Sequence, residues 1–343
     1  MSVVSKFKGF FWRHKNKFIA GGALVTGTIL LSKYAQKRLK EWQEKETAEF
    51  FDRSRKSSHF ESIERTCNET VTNLSSALLD VINETINTDV LIESLRTNPE
   101  NKLEIWNKLK VMVFTKAATI IYSIAMLVIT LRIQLSIVGG YLFKDPNAVP
   151  TEIQEKYLSV CQNFLREGVI VLTKLVETEV KKCVEDLELT KQLKLSDIEA
   201  IFWTVQTNLA THKNSPVECF ASYILRNSIS DPADVYCNMI RDTEDFLDSD
   251  EIKSIATHCI NRGFVSMGDQ IAEFYNQNDL PTASNGQEDC FRNPFEIKKP
   301  IAKLIPIING LLSKQSLPQH FVQQLALNEK LQILSANIYE SSF

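Results

Sequence analysis

The chain has 343 residues, a formal net charge of -3 and 44% hydrophobic residues. That is enough apolar material for a sizeable core, while the near-neutral balance, with no basic stripe carrying interleaved aromatics, argues against nucleic-acid binding. Only 11 glycines and 10 prolines predict few turns and long helices.

Residues 1–17 carry Lys6, Lys8, Arg13, Lys15 and Lys17 and no acid; residues 18–32 (FIAGGALVTGTILLS) are uncharged, and Lys33, Tyr34, Lys37, Arg38 and Lys40 follow. The apolar run is short for a span, but flanking lysines snorkel and a tyrosine suits the interface, which lengthens it. No small-residue cleavage site stands out, so the pattern predicts a permanent transmembrane anchor over 18–35 behind a basic segment 1–17, with an uncleaved presequence as the rival. Lys15, Lys17, Lys33, Tyr34, Lys37 and Arg38 are the membrane-flanking residues, and the lipid bilayer is a predicted partner. The positive-inside rule would keep the N-terminus in the cytosol. Seven cysteines scattered without CxxC spacing argue instead that the large domain lies in a reducing compartment.

Over 36–58, Lys, Arg and Glu recur at i, i+4 with Trp42, Phe50 and Phe51 between them. This predicts a charged juxtamembrane helix, with Ser57 and Ser58 as its break. Residues 59–86 form a second amphipathic helix, apolar at Val71, Leu74, Leu78, Val81 and Ile82. Asn87 caps a short helix over 90–95. If these helices run on from the anchor, ~50 residues at 1.5 Å each carry the chain ~75 Å at most, so the turn over 87–98 is expected at the membrane-distal end.

Residues 98–143 organise the rest. Asn98 is the expected N-cap, Pro99 the first helical residue and Glu100 a first-turn acid. From 111 to 142 the only formal charges are Lys116 and Arg132. A helix apolar all round is wrapped by other helices or by lipid. Residues 117–131 give about 22 Å of uncharged helix against a bilayer core of roughly 30 Å, which favours a buried central helix over a second span. The domain 59–343 is therefore read as all-α, an elongated multi-helix bundle around one long central apolar helix.

Further on, 144–150 is a loop, and 151–188 is helical with a kink at Gly168. Ser196 and Asp197, Asp231 with Pro232, and the acidic turn 248–251 each start a helix. Residues 276–299 form the longest loop, which Phe291 and Phe295 could order by packing. Residues 301–312 carry Pro306, predicting a kinked helix or two pieces, and Pro318 opens the last helical region. No segment alternates as a strand does.

Catalytic patterns are missing from the sequence. None of His14, His59, His212, His258 and His320 pairs at metal-ligand spacing, and adjacent His258 and Cys259 point about 100° apart on a helix. There is no glycine-rich phosphate loop and no GxSxG. Cys219 or Cys259 with a distant histidine is the nucleophile arrangement to weigh, against the commoner role of a free cysteine as a small buried hydrophobe. The acids at 186–188 and 248–251 are read as helix-end charges. No enzyme, metal or cofactor is predicted. What remains is a binding surface. Lys102 and Trp106 share one helix face with Leu109 beside them, Leu103 and Lys110 flank it, and Leu95 comes from the preceding short helix. Either Trp106 is a core residue, or it lines a groove for a partner's amphipathic helix with Lys102 at the rim; periodicity leaves both open.

The runs HFESIERTCNETV (59–71), NKLEIWNKLK (101–110), LRIQLSIVGGYLF (131–143), CINRGF (259–264) and IAKLIPIINGLL (301–312) follow the basic N-terminus, the anchor and KYAQKRLKE (33–41) in order. Across nearly its whole length the chain in this way resembles the peroxin-three family of peroxisomal biogenesis factors. The resemblance implies a single-pass protein of the peroxisomal membrane, its N-terminus in the matrix and its helical domain in the cytosol, without catalysis. It also implies docking of a shuttle chaperone, peroxin nineteen, that delivers peroxisomal membrane proteins as cargo. The family's docking tryptophan falls on Trp106, and Leu95, Lys102 and Leu109 match the groove positions around it. Two alternatives from other classes are a multi-pass membrane or transport subunit and an organelle tether for cytoskeletal or autophagy adaptors.

Overall fold

In a computed structural model the backbone is described for residues 15–225, 234–277, 296–313 and 316–342, and side chains for 32–225, 234–275, 296–312 and 316–342. The chain divides into two units, Met1–His59 and Phe60–Phe343. Helix α1, Lys15–Thr85, is continuous across their boundary. The expected break at Ser57 and Ser58 is absent, because a serine costs a helix only about half a kcal/mol and the flanking residues are good helix formers.

In the first unit, Lys37–Glu41, Lys40–Glu44 and Lys45–Glu49 pair along the helix at 3.9, 3.7 and 3.8 Å. Such exposed pairs add little stability each. Tyr34, Trp42, Phe50 and Phe51 are exposed, and the Arg38 Nε donates to the Tyr34 hydroxyl at 3.2 Å. Lys33 and Lys37 are exposed as well. The side chains of Lys15, Lys17 and the apolar run 18–31 lie outside the described residues.

The second unit carries α2 (Thr88–Arg96), α3 (Lys102–Lys144), α4 (Thr151–Leu158), α5 (Val160–Asn163), α6 (Val169–Val184), α7 (Leu195–Thr211), α8 (Phe220–Ile224), α9 (Val235–Leu247), α10 (Asp250–Gln277), α11 (Ile301–Ser313), α12 (Ser316–Ala326) and α13 (Glu329–Ser341). A single antiparallel bridge, Gln192 with Pro300 and Leu193 with Lys299, is the sole strand pairing among the described residues. The described residues are 85% helical.

Helix α3 is the axis. It packs against α2, α4, α5, α6, α9, α10, α11, α12 and α13, and between Leu109 and Gly140 every residue except Met112 is buried. Its most apolar 18-residue window is 94% buried inside the protein, so protein covers the helix on every face. That is the wrapping its composition demands.

Several boundaries differ from expectation, each for a local reason. Helix α3 starts at Lys102 with Asn101 as N-cap. Asn98 has φ 58°, a left-handed conformation that asparagine tolerates but that an N-cap does not use. Where a kink near Gly168 is expected, α5 and α6 are joined by one π-helical turn, Phe164–Gly168. Pro306 sits within one unbroken helix, α11. Helix α9 is capped by Asp234, whose side chain accepts from the Tyr236 amide. Asp231, Pro232, Phe291 and Phe295 lie outside the described residues, as does most of the expected loop 276–299.

The charges inside this apolar bundle decide its register. Arg132 is 1% exposed. Its Nη1 donates to both Glu64 oxygens at 2.8 Å and to the Ser335 hydroxyl at 3.2 Å, and its Nη2 to Asn68 Oδ1 at 3.3 Å and the Ala326 carbonyl at 3.0 Å. One guanidinium so joins α1, α3, α13 and the end of α12. Lys110, also 1% exposed, donates to the carbonyls of Glu185 at 3.0 Å and Leu187 at 2.6 Å, satisfying orphan acceptors just past the end of α6. Burial pushes the Lys110 and Lys116 ammonium pKa values below the ordinary lysine value; Glu185 and Asp186 oppose this at Lys110, and Asp89 opposes it at Lys116.

Breaking the Arg132 clasp from one side should cost more than removing it. Glu64→Ala leaves a buried guanidinium without its carboxylate and should lose about 3–5 kcal/mol of unfolding free energy, whereas adding Arg132→Met should recover most of that loss. Urea midpoints of the three proteins check this, and a double variant no more stable than Glu64→Ala would contradict it.

Candidate docking surface

The predicted surface is built by α2 and the first turns of α3. Helix α2 is fixed at its start: Asn87 Oδ1 accepts from the Asp89 and Val90 amides at 3.2 and 3.3 Å, an N-cap of the usual kind. Thr88, buried one residue on, donates to Asn309 Oδ1 of α11 at 3.0 Å. The inner side of the helix packs on the core through Leu91, Ile92 and Leu95, all half-buried, and Val90 is 59% exposed. After the turn at Asn98, the Glu104 and Ile105 amides donate to the Asn101 carbonyl at 3.1 and 3.2 Å and open α3.

Of the predicted residues, Trp106 and Leu95 are half-buried and pack against the core, and Lys102 is exposed. Leu109 is 2% exposed and is itself core. Lys110, predicted to flank the surface, is instead buried and serves the end of α6. Leu103 is 69% exposed. Together Val90 and Leu103 are apolar side chains left in solvent on two consecutive elements. Val90 is not legible from the sequence, because a lone valine carries no periodic signal at a helix start. The opposite face of the same α3 turns lines a separate cavity of about 600 Å³, where Lys108, Val111, Met112 and Thr115 face Ile170 and Thr173 of α6. The Trp106 face and this cavity are thus on different sides of one helix.

No group of three His, Cys, Asp or Glu side chains converges as metal ligands among the described residues. Cys259 is fully buried, and burial pushes its thiol up to about 11. Burial likewise raises Cys67 to about 12 and raises Cys161, whose thiol donates to Gln134 Oε1 at 2.7 Å. Cys219 is half-buried and its thiol faces the Lys213 carbonyl at 3.6 Å. The three buried thiols, Cys67, Cys161 and Cys259, behave as small hydrophobes rather than nucleophiles.

A family model described as Peroxin-3 matches residues 9–101, 96–142 and 143–341. The human protein named Peroxisomal biogenesis factor 3 is 33% identical over a 363-residue alignment that covers 97% of this chain and 96% of that one. The bovine protein of the same name is 33% identical over 361 residues, with the same coverage. Peroxisome biogenesis protein 3-2 of Arabidopsis thaliana is 28% identical over 152 residues, 40% of this chain and 42% of that one. An all-helical bundle around an apolar axis, with this set of relatives, defines a peroxisome biogenesis factor of the peroxisomal membrane with a non-enzymatic role. The chain belongs to the Peroxin-3 family.

The thiol environments give a direct check. With iodoacetamide at pH 8, the folded chain should be alkylated at Cys219 and Cys237, more slowly at Cys183, and at Cys67, Cys161 and Cys259 only after unfolding. Peptide mass mapping reads this. Early labelling of Cys259 in the folded protein would contradict its burial.

Proposed function

We propose that the chain is a docking receptor. It takes an amphipathic helix of the cargo-loaded shuttle chaperone, peroxin nineteen, onto the surface around Trp106, and so brings newly made peroxisomal membrane proteins to the bilayer. Trp106 carries the reading. The resemblance to the family puts its docking position there; the indole is held on one side by the core, and exposed Leu103 and Lys102 lie on the same helix turns. An indole already immobilised by its own fold offers a large apolar area at small further entropy cost, the property of a hot-spot anchor. Leu95 adds apolar surface from α2, Lys102 supplies a rim charge for an acid on the partner, and Leu109 acts from the core as a packing residue.

In the same proposal, residues 1–17 lie in the matrix, 18–35 cross the membrane once, 36–58 form the juxtamembrane helix and 59–343 the cytosolic domain. Lys15, Lys17, Lys33, Tyr34, Lys37 and Arg38 flank the bilayer, where long cations reach the headgroups and a tyrosine ring lies at the interface.

Trp106→Ala should weaken binding of a synthetic peroxin nineteen helix by about 2–4 kcal/mol, roughly 30- to 1,000-fold, with the far-ultraviolet circular dichroism of a folded chain at the assay temperature. Lys102→Glu should lower affinity by less, mainly through the association rate and most visibly at low salt. Full affinity in the Trp106→Ala protein, or a loss that merely follows unfolding, would contradict the proposal.

A further inference from the structure

A second apolar surface lies between α7 and α10, well removed in sequence from Trp106. Trp203 of α7 is 65% exposed and Val265 of α10 is 64% exposed. Both line one open groove of about 560 Å³ whose floor is Phe202, Phe264, Met267 and Ile271. Trp203 also borders an adjoining hollow of about 190 Å³ that it shares with Gln206 and Asn261. Single exposed apolar residues are ordinary, but a tryptophan and a valine that line the same furrow form a patch.

Two further observations say what fits it. The first is charge. The charged residues lining the groove are Glu199 and Asp269, both acids, both exposed, and neither in an ion pair among the described residues. Lys194 and Arg262, cations on or beside the same two helices, do not line it. The second is Gly268, in the middle of α10, where glycine costs a helix about 1 kcal/mol relative to alanine. Gly263 of the same helix has an internal reason, since a Cβ there would come within 2.6 Å of Ile121 and 2.8 Å of Phe321. At Gly268 the nearest atoms to such a Cβ belong to Glu199, at 3.7 and 4.0 Å. The fold therefore leaves room for a side chain at Gly268, and a glycine there lets another backbone approach.

We infer that the α7–α10 groove is a second docking site, and that its occupant is an amphipathic helix of a partner protein with an apolar stripe flanked by lysine or arginine. The stripe lies over Trp203, Val265 and the groove floor, its closest approach is at Gly268, and the cationic flanks meet Glu199 and Asp269. A furrow between two helices takes a third helix by ridge-into-groove packing, and fixed rim charges select which helix enters.

The test uses the full chain in phosphatidylcholine nanodiscs, with Trp106→Ala in the background so that the first surface does not contribute. Two fluorescent amphipathic helices share one Leu/Phe stripe; one is flanked by lysines, the other by glutamates. The lysine-flanked helix should bind about tenfold tighter or better by anisotropy, with empty nanodiscs as the blank. Trp203→Ala, and separately Gly268→Leu, which fills the groove, should each cut that affinity about tenfold without lowering the melting temperature. Glu199→Lys with Asp269→Lys should reverse the preference between the two helices. Equal binding of both helices, or binding indifferent to Trp203→Ala and Gly268→Leu, would overturn the inference. So would a dimer that Trp203→Ala dissolves, since the groove would then hold a second copy of the chain. None of these outcomes bears on Trp106, so this site and the first can fail separately.

Discussion

The fold depends on one constraint: the helix Lys102–Lys144 is apolar on nearly every side over residues 111–140 and must be covered there on every side. Nine helices of the second unit lie against it among the described residues. Apolar packing alone would leave their rotation and sliding weakly specified, because a stripe of leucines and isoleucines fits many registers. The buried cations remove that freedom. Arg132 accepts one arrangement of Glu64, Asn68, Ala326 and Ser335 around it, and Lys110 accepts one position for the end of α6. An unpaired guanidinium in such a core is costly enough to disfavour every other register.

The two surfaces follow from how the wrapping ends. Helix α2 and the opening of α3 lie where the covering layer gives out, so Trp106 is held on one side and open on the other. At the α7–α10 groove the outer helices themselves leave a furrow. Both surfaces are presented by elements anchored on the same axis. A tightly packed helical scaffold with exposed aromatics at its edges suits recognition, in keeping with the non-enzymatic role of the family.

Much of this was legible in the sequence because it is written in composition and short-range pattern. The uncharged run from 111 to 142, broken by Lys116 and Arg132, marks the axis and its burial; Asn87 marks the start of α2; and Lys102 and Trp106 fall on one face by spacing alone. What was not legible is non-local. The partner of Arg132 is Glu64, 68 residues earlier. Lys110 looks like a rim cation beside Trp106 by helical phase, yet it turns inward because the carbonyls of Glu185 and Leu187, 75 and 77 residues later, need a donor. The start of α3 differs from the expected one because Asn98 and Pro99 satisfy the rules for a cap, while the backbone spends that asparagine on a left-handed turn. The α7–α10 groove has no sequence signature, since Trp203 and Gly268 come together only through tertiary packing.

Hydrogen–deuterium exchange of the full chain, with and without the synthetic peroxin nineteen helix, tests the central claim most directly. The account predicts added protection confined to peptides from α2 and the first turns of α3, roughly residues 88–110, with α7 and α10 unchanged. Protection that appears elsewhere and spares the segment around Trp106 would contradict it.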